Sequence, residues 1–402
     1  MKYIIILGDG MADHRQESLG NKTPLEVANI PTIDFLSKMG RNGLFHTVPE
    51  NYLPGSEIAN LSVLGYDLDQ VFEGRGSLEA ASMGVDVLES EMVMRCNLIT
   101  IEDENIKNHS AGHISTEEAR ELMEYLEEKL GNDIVTFYPG VSYRHLLKVK
   151  GGVKYINCTP PHDVPGQKAA KYLPVAETPE AEQTCALLNE LIVKSQELLK
   201  EHPVNLKRVA EGKCPANSIW MWSPGYRPTM PTLLEKYGLK SGAVISAVDL
   251  IKGIGIYAGL ESIDVEGATG LYDTNYEGKA QAAIDALKRH DFVFLHIEAS
   301  DEAGHEGDEQ LKIKTIEYLD KRAVEPIFKA TEQMDEQVTI AILPDHPTPC
   351  ELKTHSREAV PFIIYNPTLE ADSVEKYDEF SASKGVYGEI KGDEFMDKLI
   401  IK

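Results

Sequence analysis

Short apolar runs alternate with amphipathic stretches along most of the 402-residue chain, and this alternation constrains the fold more than any other feature. Continuous apolar, β-branched runs are typical of strands buried on both faces, and the stretches between them carry the apolar spacing of helices. The sequence therefore predicts an α/β fold in which a mainly parallel sheet lies between two layers of helices. The predicted strands are KYIIILG, NSIWMW, GAVISAV, DFVFLHIEA, VTIAILP and VPFIIYN, and the predicted helices include TPLEVANIPTIDFLSKM, LYDTNYEGKAQAAIDALKRH and KIKTIEYLDKRAVEPIFKATEQ.

Residues 92–172 follow a different pattern. A strand, MVMRCNLITI, is followed by a helix, STEEARELMEYLEEKLG, and then by two strands, IVTFYP and YRHLLKVKG. This order indicates a compact α+β unit rather than a continuation of the alternating series. We therefore expect a smaller domain over residues 92–172, inserted into a larger one formed by residues 1–91 and 173–402.

The composition limits the environment and the partners of the chain. A formal net charge of −25 argues against nucleic acid and anionic membrane surfaces, and any anionic substrate would need a local positive pocket. Five scattered cysteines form neither a disulfide framework nor a zinc-finger pattern. The apolar run in MKYIIILGDG is too short for a signal peptide, and no other segment is apolar enough to span a membrane. We expect a cytoplasmic protein, and its oligomeric state stays open.

Acidic residues and histidines follow three of the predicted strands. Because parallel strands share one carboxyl edge, these side chains should meet there. Taken singly, these residues are more readily turn residues, helix caps or surface residues, but their joint occurrence favours a metal site. Mixed oxygen and nitrogen ligands suit Mn²⁺ or Zn²⁺, whereas ligation by oxygen alone would suit Mg²⁺. The candidate ligands are Asp9, Asp301, His305, Asp345, His346 and, just downstream, His355.

Ser56 lies in VPENYLPGSEIANLSVLGYD, where proline and glycine precede a helix-compatible run. Taken alone, a serine at a helix start is an N-cap. Beside a metal, its hydroxyl would lose a proton readily, and the helix start would offer N–H groups to a phosphate. Two metals roughly 3.5–4 Å apart would stabilise both oxygens of a phosphoryl transfer.

The motifs LGDGMAD, PGSEIANLSVLGYD, GRGSLEAASMG, GATGLYDT, IEASDEAGHEGD and DHPTPCELKTHS occur in this order through nearly the whole chain. The chain thus resembles the archaeal-type cofactor-independent phosphoglycerate mutases of the alkaline phosphatase superfamily. The resemblance implies an alkaline phosphatase-like three-layer sandwich with an inserted domain that closes over the metal domain. It also implies that Ser56 becomes phosphoserine and that two divalent ions, Mn²⁺ first, bind at the site. One ion would be held by Asp9, Ser56, Asp345 and His346, the other by Asp301, His305 and His355, with substrate contacts from Arg75, Arg144, His145 and Lys252.

One segment departs from that family. Where the family usually has the arginine-rich DRRAGR, this chain has NHSAGH, which makes His109 and His113 candidate substrate contacts. NHSAGHISTEEA and FYPGVSYRHLL look closer to a subgroup proposed as homoserine kinases. The leading prediction is interconversion of 2- and 3-phosphoglycerate through phosphoserine, with homoserine phosphorylation as the alternative. A phosphatase or sulfatase, which the closing domain disfavours because it excludes water, and a non-catalytic metal module are further alternatives.

Overall fold

The computed structural model describes residues 1–400, which divide into two compact units. The first combines Met1–Phe72 with the chain from Thr229 onward, and the second is Glu73–Pro228. The inserted unit is therefore wider at both ends than the predicted 92–172, and that boundary is corrected here. The helix that begins at Arg75 and the strand that ends at Gly225 both belong to it.

The strands of residues 1–400, numbered in chain order, fall into one large sheet, one smaller sheet and a short pair. They are β1 (Lys2–Gly8), β2 (Arg41–His46), β3 (Glu91–Glu102), β4 (Asn105–Asn108), β5 (Val135–Tyr138), β6 (Arg144–Lys150), β7 (Ile156–Asn157), β8 (Val175–Ala176), β9 (Ser218–Gly225), β10 (Gly242–Ile245), β11 (Glu261–Ile263), β12 (Phe292–Ile297), β13 (Val338–Leu343), β14 (Val360–Tyr365) and β15 (Glu389–Lys391).

The α-helices of the same residues range from a single turn to 19 residues. They are α1 (Pro24–Val27), α2 (Pro31–Met39), α3 (Ser56–Val63), α4 (Leu68–Val71), α5 (Arg75–Ser82), α6 (Thr116–Leu130), α7 (Glu182–Lys200), α8 (Pro203–Ala210), α9 (Leu233–Tyr237), α10 (Asp249–Tyr257), α11 (Tyr276–Arg289), α12 (Ala299–Glu306), α13 (Glu309–Leu319), α14 (Glu325–Thr331), α15 (Glu379–Ala382) and α16 (Glu394–Leu399). No helix among the described residues is long and apolar enough to cross a membrane.

The first unit contains an eight-stranded sheet in the order β11-β10-β12-β1-β13-β14-β2-β15. The five strands from β11 to β13 are parallel, whereas β14 runs antiparallel to both of its neighbours. All seven residues of β1 are buried, which is the reason why this strand reads as a continuous apolar run.

Helices cover both faces of this sheet. On one face, Ile4 and Ile6 of β1 share a buried cluster with Ile33 of α2 and Ile316 of α13. On the other face, α10 packs so closely on β10 that a β-carbon at Gly255 would lie 2.4 Å from Val244 Cγ1. The predicted α/β sandwich with a mainly parallel sheet is confirmed. The predicted helix over residues 23–39 is two helices, because α2 begins at a proline.

The second unit is an α+β structure around an antiparallel sheet in which β3 pairs with β4, β6 and β9. The prediction that NSIWMW belongs to the parallel sheet is wrong, since these residues form most of β9. Ile219 and Met221 of that strand face one buried cluster, and Trp220 and Trp222 face another. Because both faces are covered, β9 has the continuous apolar pattern that is typical of a parallel strand.

Candidate active site

Three neighbouring parallel strands of the first unit, β12, β1 and β13, end at one edge of the sheet. Asp9 follows β1 directly, Asp345 lies two residues after β13, and Asp301 lies in α12, which begins just after β12. The three carboxylates are almost fully buried, with exposed fractions of 1%, 0% and 5% respectively. The sheet thus brings together three groups that are far apart in the sequence.

The first cluster consists of Asp9, Asp345 and His346, whose ligand atoms all lie within 4.8 Å of one another. His346 Nε2 is 3.7 Å from Asp9 Oδ1 and 3.4 Å from Asp345 Oδ2. Ser56 Oγ lies 3.3 Å from the same His346 nitrogen. The four residues that the family resemblance implied for one metal therefore lie together, with Asp9, Asp345 and Ser56 all near His346 Nε2.

The second cluster is built on Asp301. His305 Nε2 is 3.2 Å from Asp301 Oδ2, and His355 Nε2 is 3.4 Å from Asp301 Oδ1. The two histidine nitrogens are 3.0 Å apart, so all three side chains point at one place. His346 adjoins this cluster as well, because its ring centroid is 3.9 Å from that of His355.

The electrostatics of both clusters suit divalent cations. Burial, with the charges of Asp345, Asp301 and Glu298, raises the pKa of Asp9 well above its usual range. Within residues 1–400, Asp9 Oδ1 is buried and has no hydrogen-bond partner. A buried carboxylate oxygen without a donor is unfavourable, and a bound cation supplies the missing interaction. The mixture of carboxylate and imidazole donors fits Mn²⁺ or Zn²⁺.

Protonation of the second cluster depends on Asp301. Burial raises the pKa of Asp301, but hydrogen bonds with His305 and His355 outweigh it and hold that pKa well below its usual range. The bond to Asp301 in turn raises the pKa of His305 to about 9. A metal that binds here must therefore replace a proton on His305 at neutral pH.

Ser56 is the first residue of α3, and the extended residue Gly55 occupies the N-cap position. The serine is therefore not the helix cap, and its hydroxyl lies against His346 instead. Asn60, one turn further along the helix, donates to Ser56 O at 2.8 Å and to Asp345 Oδ2 at 2.9 Å. This amide holds the start of α3 beside a candidate metal ligand.

Comparisons with known proteins decide the family. The family model described as 2,3-bisphosphoglycerate-independent phosphoglycerate mutase matches residues 37–205. The chain is 52% identical over 402 residues to the protein of that name from Methanosarcina mazei, with all of both chains covered. This chain belongs to that mutase family.

Two solved structures support the assignment. A protein from Pyrococcus horikoshii superposes with a TM-score of 0.83 at 31% identity, over 99% of this chain and 96% of that one. The cofactor-independent phosphoglycerate mutase from Thermoplasma acidophilum gives a TM-score of 0.68 at 28% identity, over 99% of both chains. The fold of this mutase-family chain is thus the fold of solved relatives along its whole length.

Several candidate substrate residues of this family member lie together in the second unit. Arg75 Nε is 3.0 Å from Glu79 Oε1, and Arg95 Nε is 3.1 Å from Glu79 Oε2. The buried Arg95 guanidinium lies 4.4 Å over the Trp222 ring. One carboxylate therefore faces two arginines, and Arg95 is a residue that sequence reasoning missed, because it lies inside the apolar run of β3.

Histidines adjoin this arginine pair. The His162 ring centroid is 5.3 Å from Trp222 and 6.0 Å from His109. The ring centroids of His109 and Tyr143 are 5.8 Å apart. The Arg144 guanidinium lies over the Tyr143 ring, 5.1 Å from its centroid. Burial and the nearby His113 lower the pKa of His109. The second unit thus holds a cluster rich in cations and aromatic rings. His162 belongs to this cluster, although it was not among the residues predicted from the sequence.

The remaining candidates are placed differently. His145 is 1% exposed and accepts a hydrogen bond from Gly140 N at 2.9 Å, so its burial does not support the predicted substrate contact. His113 is exposed, with a positive φ of 52°. Lys252, in the first unit, forms an ion pair with Asp264 at 2.6 Å.

Residues around the metal clusters were also missed by sequence reasoning. Thr348 Oγ1 donates to Asp301 Oδ1 at 2.5 Å and lies 3.3 Å from His346 Nδ1. Lys279 is fully buried near the carbonyl oxygens of Thr269 and His296, and burial lowers its pKa to about 8. Thr348 could have been predicted from the sequence, because it lies only two residues after His346 in DHPTP.

Proposed function

We propose that this chain interconverts 2- and 3-phosphoglycerate without 2,3-bisphosphoglycerate, by passing the phosphoryl group through Ser56. One observation carries the proposal. In a chain that is 52% identical over its full length to a protein named for this activity, the Ser56 hydroxyl lies 3.3 Å from His346 Nε2. That contact supports the proposal because it brings the candidate nucleophile next to the two clusters of candidate metal ligands.

The proposal assigns two divalent ions to these clusters. Asp9, Asp345, His346 and the Ser56 oxygen would hold one ion, and Asp301, His305 and His355 the other, with Mn²⁺ as the first candidate and Zn²⁺ or Mg²⁺ as the others. When bound, such a pair favours the deprotonated serine and stabilises the charge on the attacking and leaving oxygens. The candidate ligand sets in the structure support this assignment.

Ser56 carries the phosphoryl group between two substrate oxygens. Its Oγ loses its proton and forms a bond to phosphorus as the bond from phosphorus to the glycerate oxygen breaks, and that oxygen takes a proton to become a hydroxyl. The other hydroxyl of the same glycerate then attacks the phosphoserine, gives up its proton and releases Ser56. The position of Ser56 at the start of α3 adds helix N–H groups that favour an anionic phosphate.

A chain of net charge −25 that binds a small, phosphorylated, anionic substrate needs fixed cations at the site of recognition. We assign substrate contacts to Arg75, His109 and Arg144 of the second unit. Arginine suits this task because its planar fork binds carboxylate and phosphate with two hydrogen bonds. The newly found Arg95 is buried against Glu79 and Trp222 and adds positive charge beside Arg75. The same net charge argues against nucleic acid as a partner. The free cysteines of residues 1–400 support the proposal of a reducing, cytoplasmic environment.

The test is turnover of 3-phosphoglycerate by the Mn²⁺-loaded protein, with no 2,3-bisphosphoglycerate and with enolase as the coupling enzyme. We expect 2-phosphoglycerate to form. A parallel reaction with homoserine and ATP tests the alternative, which none of the relatives compared above favours. Rapid phosphorylation of homoserine without turnover of 3-phosphoglycerate would overturn the proposal.

A further inference from the structure

His296 is a fully buried histidine near the end of β12 that the proposed reaction does not use. Its Nε2 lies 2.9 Å from Asp9 Oδ2, and its Nδ1 lies 3.1 Å from Ser246 Oγ. Both ring nitrogens therefore have a neighbour, and one of these neighbours is a candidate metal ligand.

The direction of the hydrogen bonds follows from Asp9, because a carboxylate that binds a metal can only accept a hydrogen bond from His296 Nε2. Ser246 Oγ accepts a hydrogen bond from Val248 N at 3.0 Å, so its own hydrogen is free to point at His296 Nδ1. With Nδ1 as the acceptor, a neutral His296 carries its proton on Nε2 and donates it to Asp9 Oδ2. The four groups form a one-way chain that ends on the carboxylate.

The chain leaves one oxygen of Asp9 for a cation. Asp9 Oδ2 is occupied by His296, whereas Oδ1 is buried and has no hydrogen-bond partner among the described residues. Oδ1 is also the oxygen that faces His346 Nε2, at 3.7 Å. A second contact, from Ser300 Oγ to Asp9 O at 2.5 Å, fixes the backbone of the same residue.

We infer that His296 is a positioning residue that makes Asp9 a one-oxygen metal ligand, through the chain from Val248 N–H and the Ser246 hydroxyl. This inference rests on the proposed metal role of Asp9. Outer-shell hydrogen bonds of this kind fix the orientation of a ligand and raise metal affinity. His296 touches neither substrate nor reacting atoms, so its effect reaches the reaction only through Asp9.

The first experiment measures the tautomer of His296 by ¹⁵N NMR with labelled histidine in protein loaded with diamagnetic Zn²⁺, which keeps Asp9 as a carboxylate. The His296→Gln variant identifies the signal by its loss. We expect the tautomer with the proton on Nε2. A proton on Nδ1, or a doubly protonated ring at neutral pH, would overturn the inference without reference to activity.

The second experiment titrates metal-free protein with Mn²⁺ in a calorimeter. His296→Leu should weaken the binding of one Mn²⁺ about 10–100-fold, as expected for loss of an outer-shell partner. His296→Gln places an amide N–H near the same position and should recover most of the affinity. Ser246→Ala should give a smaller loss, because Asp9 keeps its donor.

His290→Leu is the matched control. His290 Nε2 also contacts a carboxylate, Glu261 Oε2 at 2.9 Å. His290 lies just before the start of β12, however, whereas Asp9 lies at the opposite edge of the sheet, after the end of β1. The Mn²⁺ binding of His290→Leu should equal that of the parent protein. Unchanged binding in His296→Leu would overturn the inference. An inactive parent protein that still shows the expected tautomer and affinities would overturn only the proposed function.

Discussion

At the scale of single residues, Ser56 combines the proposed role of nucleophile with a minor structural role. Gly55 is the N-cap of α3, so Ser56→Ala removes no capping bond. The substitution should therefore lower the free energy of unfolding by less than the ~1 kcal/mol of a lost N-cap. Phosphoryl transfer should fall to background, because the proposed covalent route requires the Ser56 oxygen. Steady-state assays and thermal unfolding check both expectations, with Ser62→Ala on the same helix as the control. Retention of most activity in Ser56→Ala would contradict the phosphoserine route.

Metal binding should release protons, since burial and hydrogen bonding raise the pKa values of Asp9 and His305 in the metal-free clusters. The pKa of His305 is raised to about 9, so at neutral pH this histidine is protonated and must lose its proton before it can bind a metal. Mn²⁺ affinity should therefore rise with pH up to about 9. Titrations in buffers of different ionisation enthalpy measure the protons released, and activity should vanish with a strong chelator. Affinity that is independent of pH, or full activity without metal, would contradict this reading.

The three aspartates of the candidate metal clusters were accessible to sequence reasoning because each follows a strongly apolar strand. Asp9, Asp301 and Asp345 needed only the rule that parallel strands share one carboxyl edge. Asn60, Thr348 and His296 could not be found that way. Their importance comes from hydrogen bonds made across more than one element, and these bonds depend on side-chain directions that no spacing in the sequence encodes.

At the scale of elements, one buried carboxylate links two helical segments. Asp320 begins the π-helical turn Asp320–Val324 that joins α13 to α14, and it accepts a hydrogen bond from Ile33 N in the first turn of α2 at 2.7 Å. Burial raises the pKa of Asp320 to about 6. The carboxylate thus supports α2 but is charged at neutral pH only at a cost.

The raised pKa of Asp320 makes the folded protein less stable as pH rises through its titration range. Because its pKa in the folded protein exceeds the unfolded value of about 4, Asp320 stabilises less as pH rises from about 4 to 6, and its contribution is level above that. Asp320→Asn keeps an acceptor for Ile33 without titrating, so its free energy of unfolding relative to the parent should rise by about 2 kcal/mol across this window. Urea unfolding at several pH values measures the difference, with the exposed Asp335→Asn as the control. A difference that does not change with pH would contradict it.

Element types were predicted well, but element partners were not. The apolar runs of β1, β12 and β13 identify strands because those strands are covered on both faces. The same pattern misassigned β9, whose two covered faces belong to an antiparallel sheet. The apolar pattern of a strand shows whether its faces are buried. It does not show which strand lies beside it, because that depends on residues elsewhere in the chain.

At the scale of the whole molecule, a net charge of −25 opposes an anionic substrate, so local cations must decide its binding. Burial and His113 lower the pKa of His109, which leaves this ring neutral at pH 7. His109→Arg should lower the KM for 3-phosphoglycerate several-fold, on the order of 1 kcal/mol for a charge near an anion at the protein surface. The parent protein should approach the variant as pH falls and His109 gains its proton.

The control for this prediction is His46→Arg, which changes the net charge equally at an exposed position at the end of β2. Its KM should match that of the parent protein. Equal effects of the two substitutions would show that overall charge, and not the cluster of the second unit, governs substrate binding.

The place of β1 in the sheet has a consequence for biosynthesis. Tyr3 pairs with Phe292 and with Thr339, so the first strand to leave the ribosome waits for about 290 later residues. At ~5–20 residues per second this delay is about 15–60 s. Throughout it, a seven-residue strand whose middle is apolar presents two open edges to neighbouring nascent chains. The second unit can meanwhile close its own sheet, whose strands lie between Glu91 and Gly225. Chaperone capacity during translation, rather than the stability of the finished enzyme, should therefore set the yield of this protein in a foreign host.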